Sequence, residues 1–273
     1  MCRWIAYIGK PIWMDTLVTR PANSLMRQSF DAKMHFNPDG SSNTTNADGF
    51  GLGWYAGNAE PGIYKVADPA WSNENIKEIC ANVQSPLFMA HIRAASTGAI
   101  QRSNAHPFKY KNWLFQHNGR IEGFSMLKRA LQFDISPELY PLIRGTTDSE
   151  TIFWLLLTFG LEKDPINAVR RMIARVEQAY QEHALPVQMT LSCAMSDGNN
   201  LYTIRYANGV ASNSQYYFTE AYCMSSEEEN IRIPTGGVVI VSEPLTQEDS
   251  SWNEMPDGSF ATIRNGKTEI ERL

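Results

Sequence analysis

The residue with the clearest chemical potential is Cys2, directly after Met1. Loss of Met1, which the small cysteine side chain permits, would leave a thiol and a free α-amine on one residue. An α-amine titrates near about 8, against about 10 for a lysine, so it can accept a proton at neutral pH. Nucleophile and base would then share one residue, and no catalytic histidine would be required. The plainer reading is a chance cysteine on an ordinary edge strand, and Cys2 alone does not decide between the two. Arg93 ends an apolar strand and precedes the small residues Ala94-Ala95-Ser96-Thr97-Gly98, a context that suits a pocket better than a surface ion pair. Asp148 stands at a helix start, where a capping carboxylate can still turn its second oxygen to a ligand. His91, His106 and His117 invite a Cys–His pairing, but structural histidines are the commoner kind, and His106 and His117 read as pocket scaffold. Their spacing does not suit metal chelation, so neither a metal nor another cofactor is expected.

These residues must be held by a chain of 273 residues, 43% hydrophobic and 11% aromatic, which is enough to bury a sizeable core. It reads as one domain over residues 1–273, since no repeat, low-complexity stretch or linker divides it. A net charge of −5 gives no support to binding of nucleic acid or anionic membranes. Cys2, Cys80, Cys193 and Cys223 are scattered without CxxC spacing, which argues against a zinc site or a disulfide framework and for a reducing compartment. The start lacks a basic region followed by an apolar core, so no secretory signal is expected. The longest apolar run, Ile152 to Leu161, is far short of the roughly 20 residues that span a bilayer. A soluble, cytoplasmic protein is expected.

Trp4 to Ile8 predicts an apolar strand ending at Gly9, and Pro11 to Pro21 predicts loop and turn. A short helical turn follows around Leu25 and Met26, and the polar stretch Phe36 to Asn46 predicts a loop. Gly49, Gly51 and Gly53 stud the next strand, which pairs as a hairpin with Ile63 to Val66; such glycines mark a close approach of backbone or ligand. A helix over Asn73 to Asn82 and a buried strand over Leu87 to Arg93 come next. The apolar strand Trp113 to His117 is expected to stop at Asn118-Gly119, a turn leading to a helix over Gly123 to Phe133. Thr147-Asp148-Ser149-Glu150 reads as a helix start before a buried helix, and an amphipathic helix runs from about Pro165 to His183. Strands follow at Gln188 to Met195, Asn200 to Arg205, Ser214 to Thr219, Tyr222 to Ser225 and Gly237 to Val241, with a hairpin turn at Asp197-Gly198-Asn199. This order of elements implies an α+β fold with helices covering packed sheets.

Four separated stretches together resemble the class II glutamine amidotransferases, which are N-terminal-nucleophile hydrolases. They are Cys-Arg-Trp-Ile-Ala-Tyr-Ile-Gly from Cys2, the Arg93 loop with Asn104 to Phe108, His117-Asn118-Gly119, and Thr147-Asp148-Ser149-Glu150. Cys2-Arg3, Ser24 to Ser29, Asn46 to Gly51 and Ser242-Glu243-Pro244-Leu245 point to a stand-alone branch. That branch includes γ-glutamyl amidohydrolases of ergothioneine synthesis and glutathione degradation. The resemblance covers nearly the whole chain and implies a four-layer αββα sandwich.

What the resemblance implies for the site is specific. Cys2 would attack the γ-amide of glutamine or a γ-glutamyl compound, with its own α-amine moving the proton. The Asn118 side-chain amide and the Gly119 N–H would form the oxyanion hole, and Arg93 would hold the substrate α-carboxylate, helped by Ser96. Asp148 would hold the α-ammonium. The chemistry fits, because a guanidinium fork matches a carboxylate and a tetrahedral intermediate needs converging donors. A chain of this length leaves no room for a synthase, so ammonia would pass to a separate synthase or peptidase chain, or the chain would hydrolyse a larger γ-glutamyl substrate. The alternative class is a non-catalytic or regulatory subunit that keeps the fold, against which the intact Cys2, Arg93, Asn118, Gly119 and Asp148 argue. Trp13, Trp54 and Tyr55 are candidates to line a trough for the larger leaving group, although core packing is the commoner role of such residues, and Glu243 is expected to shape a turn.

Overall fold

A computed structural model describes residues 2–34, 45–95, 98–219, 223–225, 230–246 and 251–273. The first part of the chain runs β1 (Arg3–Trp13), α1 (Asp15–Val18), α2 (Leu25–Gln28), β2 (Phe50–Tyr55), β3 (Gly62–Val66), α3 (Glu74–Asn82) and β4 (Gln84–Ile92). The middle comprises β5 (Phe108–Tyr110), β6 (Trp113–Ile121), α4 (Phe124–Phe133), α5 (Asp148–Thr158) and α6 (Pro165–Glu182). Strands β7 (Met189–Ser196), β8 (Leu201–Asn208), β9 (Tyr216–Phe218), β10 (Cys223–Ser225), β11 (Asn230–Arg232) and β12 (Val238–Val241) follow. The chain ends with β13 (Asn253–Glu254), β14 (Ser259–Arg264) and β15 (Lys267–Arg272).

Among the described residues, one antiparallel sheet has the order β13-β9-β12-β1-β4-β2-β3 and a second has the order β15-β14-β8-β7-β6-β5. The two-residue side-chain period of β1 assigns its neighbours to two different layers. Ile5 and Tyr7 join Leu17, Leu25, Ile76 and Phe88 on the outer face of the first sheet, under α1, α2 and α3. Trp4 and Ala6 point the other way and meet Leu114, Ala194 and Ala261 of the second sheet. On the far side of that second sheet, Phe115, Leu191 and Met195 pack against Leu127, Phe153, Met172 and Val176 from α4, α5 and α6. Helix, sheet, sheet and helix are therefore four successive layers, as expected.

Several local expectations are corrected. β1 does not stop at Gly9; it continues to Trp13, with an irregularity in its pairing to β4 between Ile8 and Ile12. The extra length takes Pro11 to Trp13 from the expected loop, and α1 takes Asp15 to Val18. Asn118-Gly119 is not a turn, because both residues lie inside β6 and pair with Ser192 and Leu191 of β7. The ladder to β7 overrides the local turn preference. The glycines of β2 are explained by backbone packing rather than by a ligand: a Cβ at Gly51 would overlap His106 O, and one at Gly53 would press on Pro107 and Leu114. Residues 36–44 of the expected polar loop, and Ser96, lie outside the described residues.

Candidate active site

Cys2 precedes the first residue of β1 at the end of the first sheet where β4 finishes and β2 begins. Ile92, the last residue of β4, pairs with Arg3 on one side and Phe50 on the other. One step further, Arg93 N donates to Gly49 O at 2.8 Å and Asp48 N donates to Arg93 O at 3.0 Å. That extension brings Ala94 to the nucleophile candidate. Ala94 N donates to the Cys2 sulfur at 3.4 Å, and the thiol faces Ala94 O at 3.6 Å. Burial raises the Cys2 pKa above its ordinary value, against the opposing pull of the Ala94 hydrogen bond and the Arg93 and Arg3 charges. The resting thiol is therefore protonated at neutral pH.

Arg93 is 3% exposed, with Nη1 donating to Ala99 O at 3.0 Å. Burial lowers its pKa, while the charges of Cys2, Asp48 and Asp148 act to raise it. Those three groups thus share the electrostatic surroundings of one guanidinium. Asp48 also has a positional effect: its Oδ2 accepts from Ala95 N at 2.7 Å, fixing the residue beside Ala94.

The second sheet supplies the other half. β5 pairs with β6 only over Trp113 to Phe115, so no β5 residue pairs with the following part of that β6 edge. On this edge, His117 O faces His91 Nε2 at 3.2 Å and Ile121 N donates to Asp148 Oδ2 at 2.8 Å. Main-chain groups alternate sides along a strand, so the Gly119 N–H points to the same edge, between those two contacts. Gly119 has no room for a side chain, because a Cβ there would overlap Thr190 O and His117 Nε2.

Asp148 opens α5. Thr147 caps the helix by accepting from Glu150 N at 3.2 Å, and Asp148 Oδ1 accepts from Ser149 N at 2.8 Å. The carboxylate therefore joins the helix start to the β6 edge. Asn104 ties this region to the Arg93 loop: its Nδ2 donates to Ala99 O at 2.9 Å and its Oδ1 accepts from Thr146 N at 2.8 Å. Cys2, Arg93, Asn118, Gly119 and Asp148 are thus brought to one end of the sandwich, linked across it by the His91–His117 contact.

Residues 14–272 match the class-II glutamine amidotransferases. The probable glutamine amidotransferase DUG3 of Saccharomyces cerevisiae is 31% identical, over 97% of this chain and 82% of its own length. The chain belongs to the class-II glutamine amidotransferases. The amidotransferase is accordingly an enzyme acting on carbon–nitrogen bonds, and it is also similar to the gamma-glutamyl-hercynylcysteine sulfoxide hydrolase of Mycolicibacterium smegmatis, at 23% identity over 100% of both chains. Among solved structures, a glutamine aminotransferase class-II domain protein from Silicibacter pomeroyi superposes with a TM-score of 0.72 and 32% identity over 99% of each chain. The αββα sandwich is thus of the N-terminal-nucleophile type.

In this amidotransferase the histidines are committed away from the sulfur. His117 Nδ1 contacts Ser149 Oγ at 2.9 Å and Nε2 contacts Thr190 O at 3.1 Å. His91 and His106 stack with ring centroids 4.1 Å apart. Burial drives the pKa of all three down, that of His91 to about 3, so they are neutral. Among the described residues, the sulfur's recorded hydrogen-bond partners are main-chain atoms of Ala94. Among the described residues, no group of three or more His, Cys, Asp or Glu could hold a metal ion, and no helix is long and apolar enough to cross a membrane.

The aromatic candidates for a trough are misplaced. β2 runs from Phe50, opposite Ile92, to Tyr55, opposite Leu87. At about 3.3 Å per residue this puts Trp54 and Tyr55 well over 10 Å along the sheet from the Cys2 end. Tyr55 is a core residue whose OH donates to Asn112 O at 2.7 Å, and Trp13 pairs with Gln84 at the same far end. Two contributors escaped the sequence reading. Asp48 lies inside the Asn46 to Gly51 motif, where nothing in the sequence marks its contact with Ala95. Glu243 is more than a turn former, because it pairs with Arg3 at 2.7 Å and accepts from Asn23 Nδ2, Lys33 N and Met34 N. The Cys2-Arg3 and Ser242-Glu243 motifs, at opposite ends of the chain, carry opposite charges, and that is the available signal.

Proposed function

We propose that this amidotransferase hydrolyses the γ-amide of glutamine, or of a γ-glutamyl compound, through a thioester on Cys2. The carrying observation is the Cys2 sulfur held by Ala94 beside Arg93, whose surroundings also include Asp148. In this reading Arg93 binds the substrate α-carboxylate, with the Ser96 hydroxyl as a second donor, and Asp148 binds the α-ammonium. That fixes the γ-amide over the sulfur, and positioning of this kind accounts for much of an enzyme's rate. The thiol adds to the γ-carbonyl carbon while its proton passes to the Cys2 α-amine, freed by loss of Met1. The raised thiol pKa makes such a base necessary, and none of the three neutral histidines is placed to supply it: His117 contacts Ser149 Oγ, His91 contacts His117 O, and the His106 ring stacks on His91. The Asn118 amide and the Gly119 N–H take the developing oxyanion. The carbon–nitrogen bond then breaks, the proton on the α-ammonium leaves with the amine or ammonia, and water hydrolyses the thioester to glutamate.

Residues 1–273 form a single catalytic domain in this reading, supported by the pairing of β1 with β12 and of β14 with β8. A cytoplasmic location accords with the free thiols of Cys80 and Cys193. A larger γ-glutamyl substrate is favoured over glutamine, on the full-length likeness to a γ-glutamyl hydrolase. Acid-quenched intact-mass spectrometry tests the covalent step. A glutamyl adduct is expected on chain lacking Met1 and absent from Cys2→Ala, which should fold but not turn over. Full turnover by Cys2→Ala, or by homogeneous chain retaining Met1, would overturn the nucleophile or the base respectively.

A further inference from the structure

His117 lies on β6 two residues before Gly119, and its side chain is buried against the start of α5. Both ring nitrogens have partners: Nε2 lies 3.1 Å from Thr190 O, and Nδ1 lies 2.9 Å from Ser149 Oγ. These partners fix where the protons are. A carbonyl oxygen only accepts, so Nε2 carries the hydrogen and donates it to Thr190. Burial lowers the His117 pKa against the opposing pull of Asp148, so the ring is neutral and Nδ1 is bare. Ser149 Oγ is then the donor to Nδ1.

That assignment matters to the neighbouring carboxylate. Ser149 Oγ also stands 3.4 Å from Asp148 Oδ1, and a hydroxyl has a single proton to give. The shorter contact, to His117, takes it. Asp148 Oδ1 and Oδ2 accept from the main-chain N–H groups of Ser149 and Ile121 and keep their other lone pairs for a cation. On the other side of the ring, a Cβ on Gly119 would overlap both His117 Nε2 and Thr190 O. The two atoms of that hydrogen bond thus brace the Gly119 main chain.

We propose that His117 is a positioning residue for the amide hydrolysis read above, on which this inference rests. Its bare Nδ1 holds the Ser149 proton away from Asp148, and its Nε2–H fixes Thr190 O against Gly119. Without the first bond, the hydroxyl turns to Asp148 Oδ1 and competes with the substrate α-ammonium, which weakens binding. Without the second, the Gly119 N–H drifts from the developing oxyanion, and chemistry slows because such donors act through their preorganised placement. One ring therefore serves the ammonium anchor and the oxyanion donor through separate atoms.

Steady-state kinetics on one γ-glutamyl anilide separate the two bonds. His117→Phe loses both, so KM should rise about tenfold and kcat should fall about tenfold. Adding Ser149→Ala removes the competing proton, so KM should return to within about twofold of wild type while kcat stays low. His117→Asn sets an amide oxygen near the Nδ1 position and restores the acceptor alone. Its kcat should fall with KM kept, and it carries the test by itself where the larger phenyl ring does not pack. A double variant with a KM no better than that of His117→Phe would overturn the inference. So would a His117→Asn whose KM rises as its kcat falls, or wild-type kinetics in His117→Phe. Asp148→Asn tells this failure from that of the underlying reading: a raised KM there leaves the anchor standing, whereas an unchanged KM removes the anchor and this inference together.

Discussion

Arg3 Nε donates to Glu243 Oε2 at 2.7 Å, with both side chains 1% exposed. Arg3 Nη1 also donates to the carbonyl of Cys2 at 3.0 Å. One carboxylate thus holds the residue next to the nucleophile candidate, the Asn23 side chain that leads into α2, and the main chain at Lys33 and Met34. Burial acts to raise the Glu243 pKa, but the Arg3 charge and these hydrogen bonds outweigh it, and the carboxyl lies below its ordinary value. Glu243→Gln removes the charge and leaves the Arg3 cation buried without its carboxylate. Losing one member of a buried pair costs about 3–5 kcal/mol. The urea midpoint should fall accordingly, and kcat should fall further than KM rises, because the Cys2 main chain loses its tie. A variant with unchanged midpoint and kcat would show that the pair contributes to neither.

The buried histidines predict an acid weakness at higher pH than carboxylates would produce. His91 is pushed to about 3, and His106 and His117 are also lowered, each first by burial. In the unfolded chain each takes up a proton below about 6.5, while in the folded chain it does so only at lower pH, for His91 near about 3. Between those values the unfolded state binds more protons, so stability is lost as pH falls. Each histidine contributes up to about 1.4 kcal/mol per pH unit in that window. The urea midpoint should decline from about pH 6.5 to pH 4.5, and more shallowly in His106→Phe, which replaces one ring of the stack. A flat profile over this range would mean the rings are charged or solvated in the folded state.

Substrate anchoring is tested by Arg93→Lys and Asp148→Asn. Lysine keeps the charge but loses the planar fork that matches a carboxylate. At position 148 both carboxylate oxygens already accept main-chain hydrogen bonds, from Ile121 N and Ser149 N. An amide presents only one acceptor oxygen, so Asp148→Asn sets an NH₂ against one of those donors as well as removing the charge. Charge-assisted contacts of this kind are worth about 1.5–3 kcal/mol, so kcat/KM should drop by about tenfold to a hundredfold in each variant. Unchanged steady-state kinetics in both would place the anchor elsewhere.

Helix boundaries were legible because their caps are local chemistry. Asn73, Thr147 and Asp164 each accept a main-chain N–H at the helix start they mark. Two of the three Asn-Gly dipeptides show where local reading ends. Asn265-Gly266, with φ of 51° and 73°, makes the tight turn between β14 and β15, in a C-terminal hairpin the sequence reading left unassigned. Asn118-Gly119 carries the same turn signal and runs straight through β6, because β7 pairs with it on one side and the edge contacts to His91 and Asp148 take the other. Candidate residues were legible as types in motifs. Their supports were not, since Asp48, Asn104 and Glu243 act on Ala95, Ala99 and Arg3 through contacts set by sheet register.

The remaining choice is between glutamine and a larger γ-glutamyl compound. In the proposed reading Arg93 and Asp148 anchor the glutamyl half, which the two substrates share. Discrimination must therefore arise beyond the scissile bond. Trp13, Trp54 and Tyr55 cannot supply it from the far end of the sheet. At the Cys2 end, Glu243 holds the chain at Lys33 and Met34, and the exposed Phe30 lies just before, edge-on to Trp71 with centroids 6.1 Å apart. An apolar leaving group would find its contact there, and ammonia would gain nothing from it. The expected result is a kcat/KM for a γ-glutamyl aromatic amide at least tenfold above that for glutamine, which corresponds to about 1.4 kcal/mol. Phe30→Ala should reduce that ratio while leaving glutamine turnover unchanged. Glutamine preferred by tenfold, or turned over only when a separate ammonia-accepting chain is added, would instead favour an ammonia-delivering subunit.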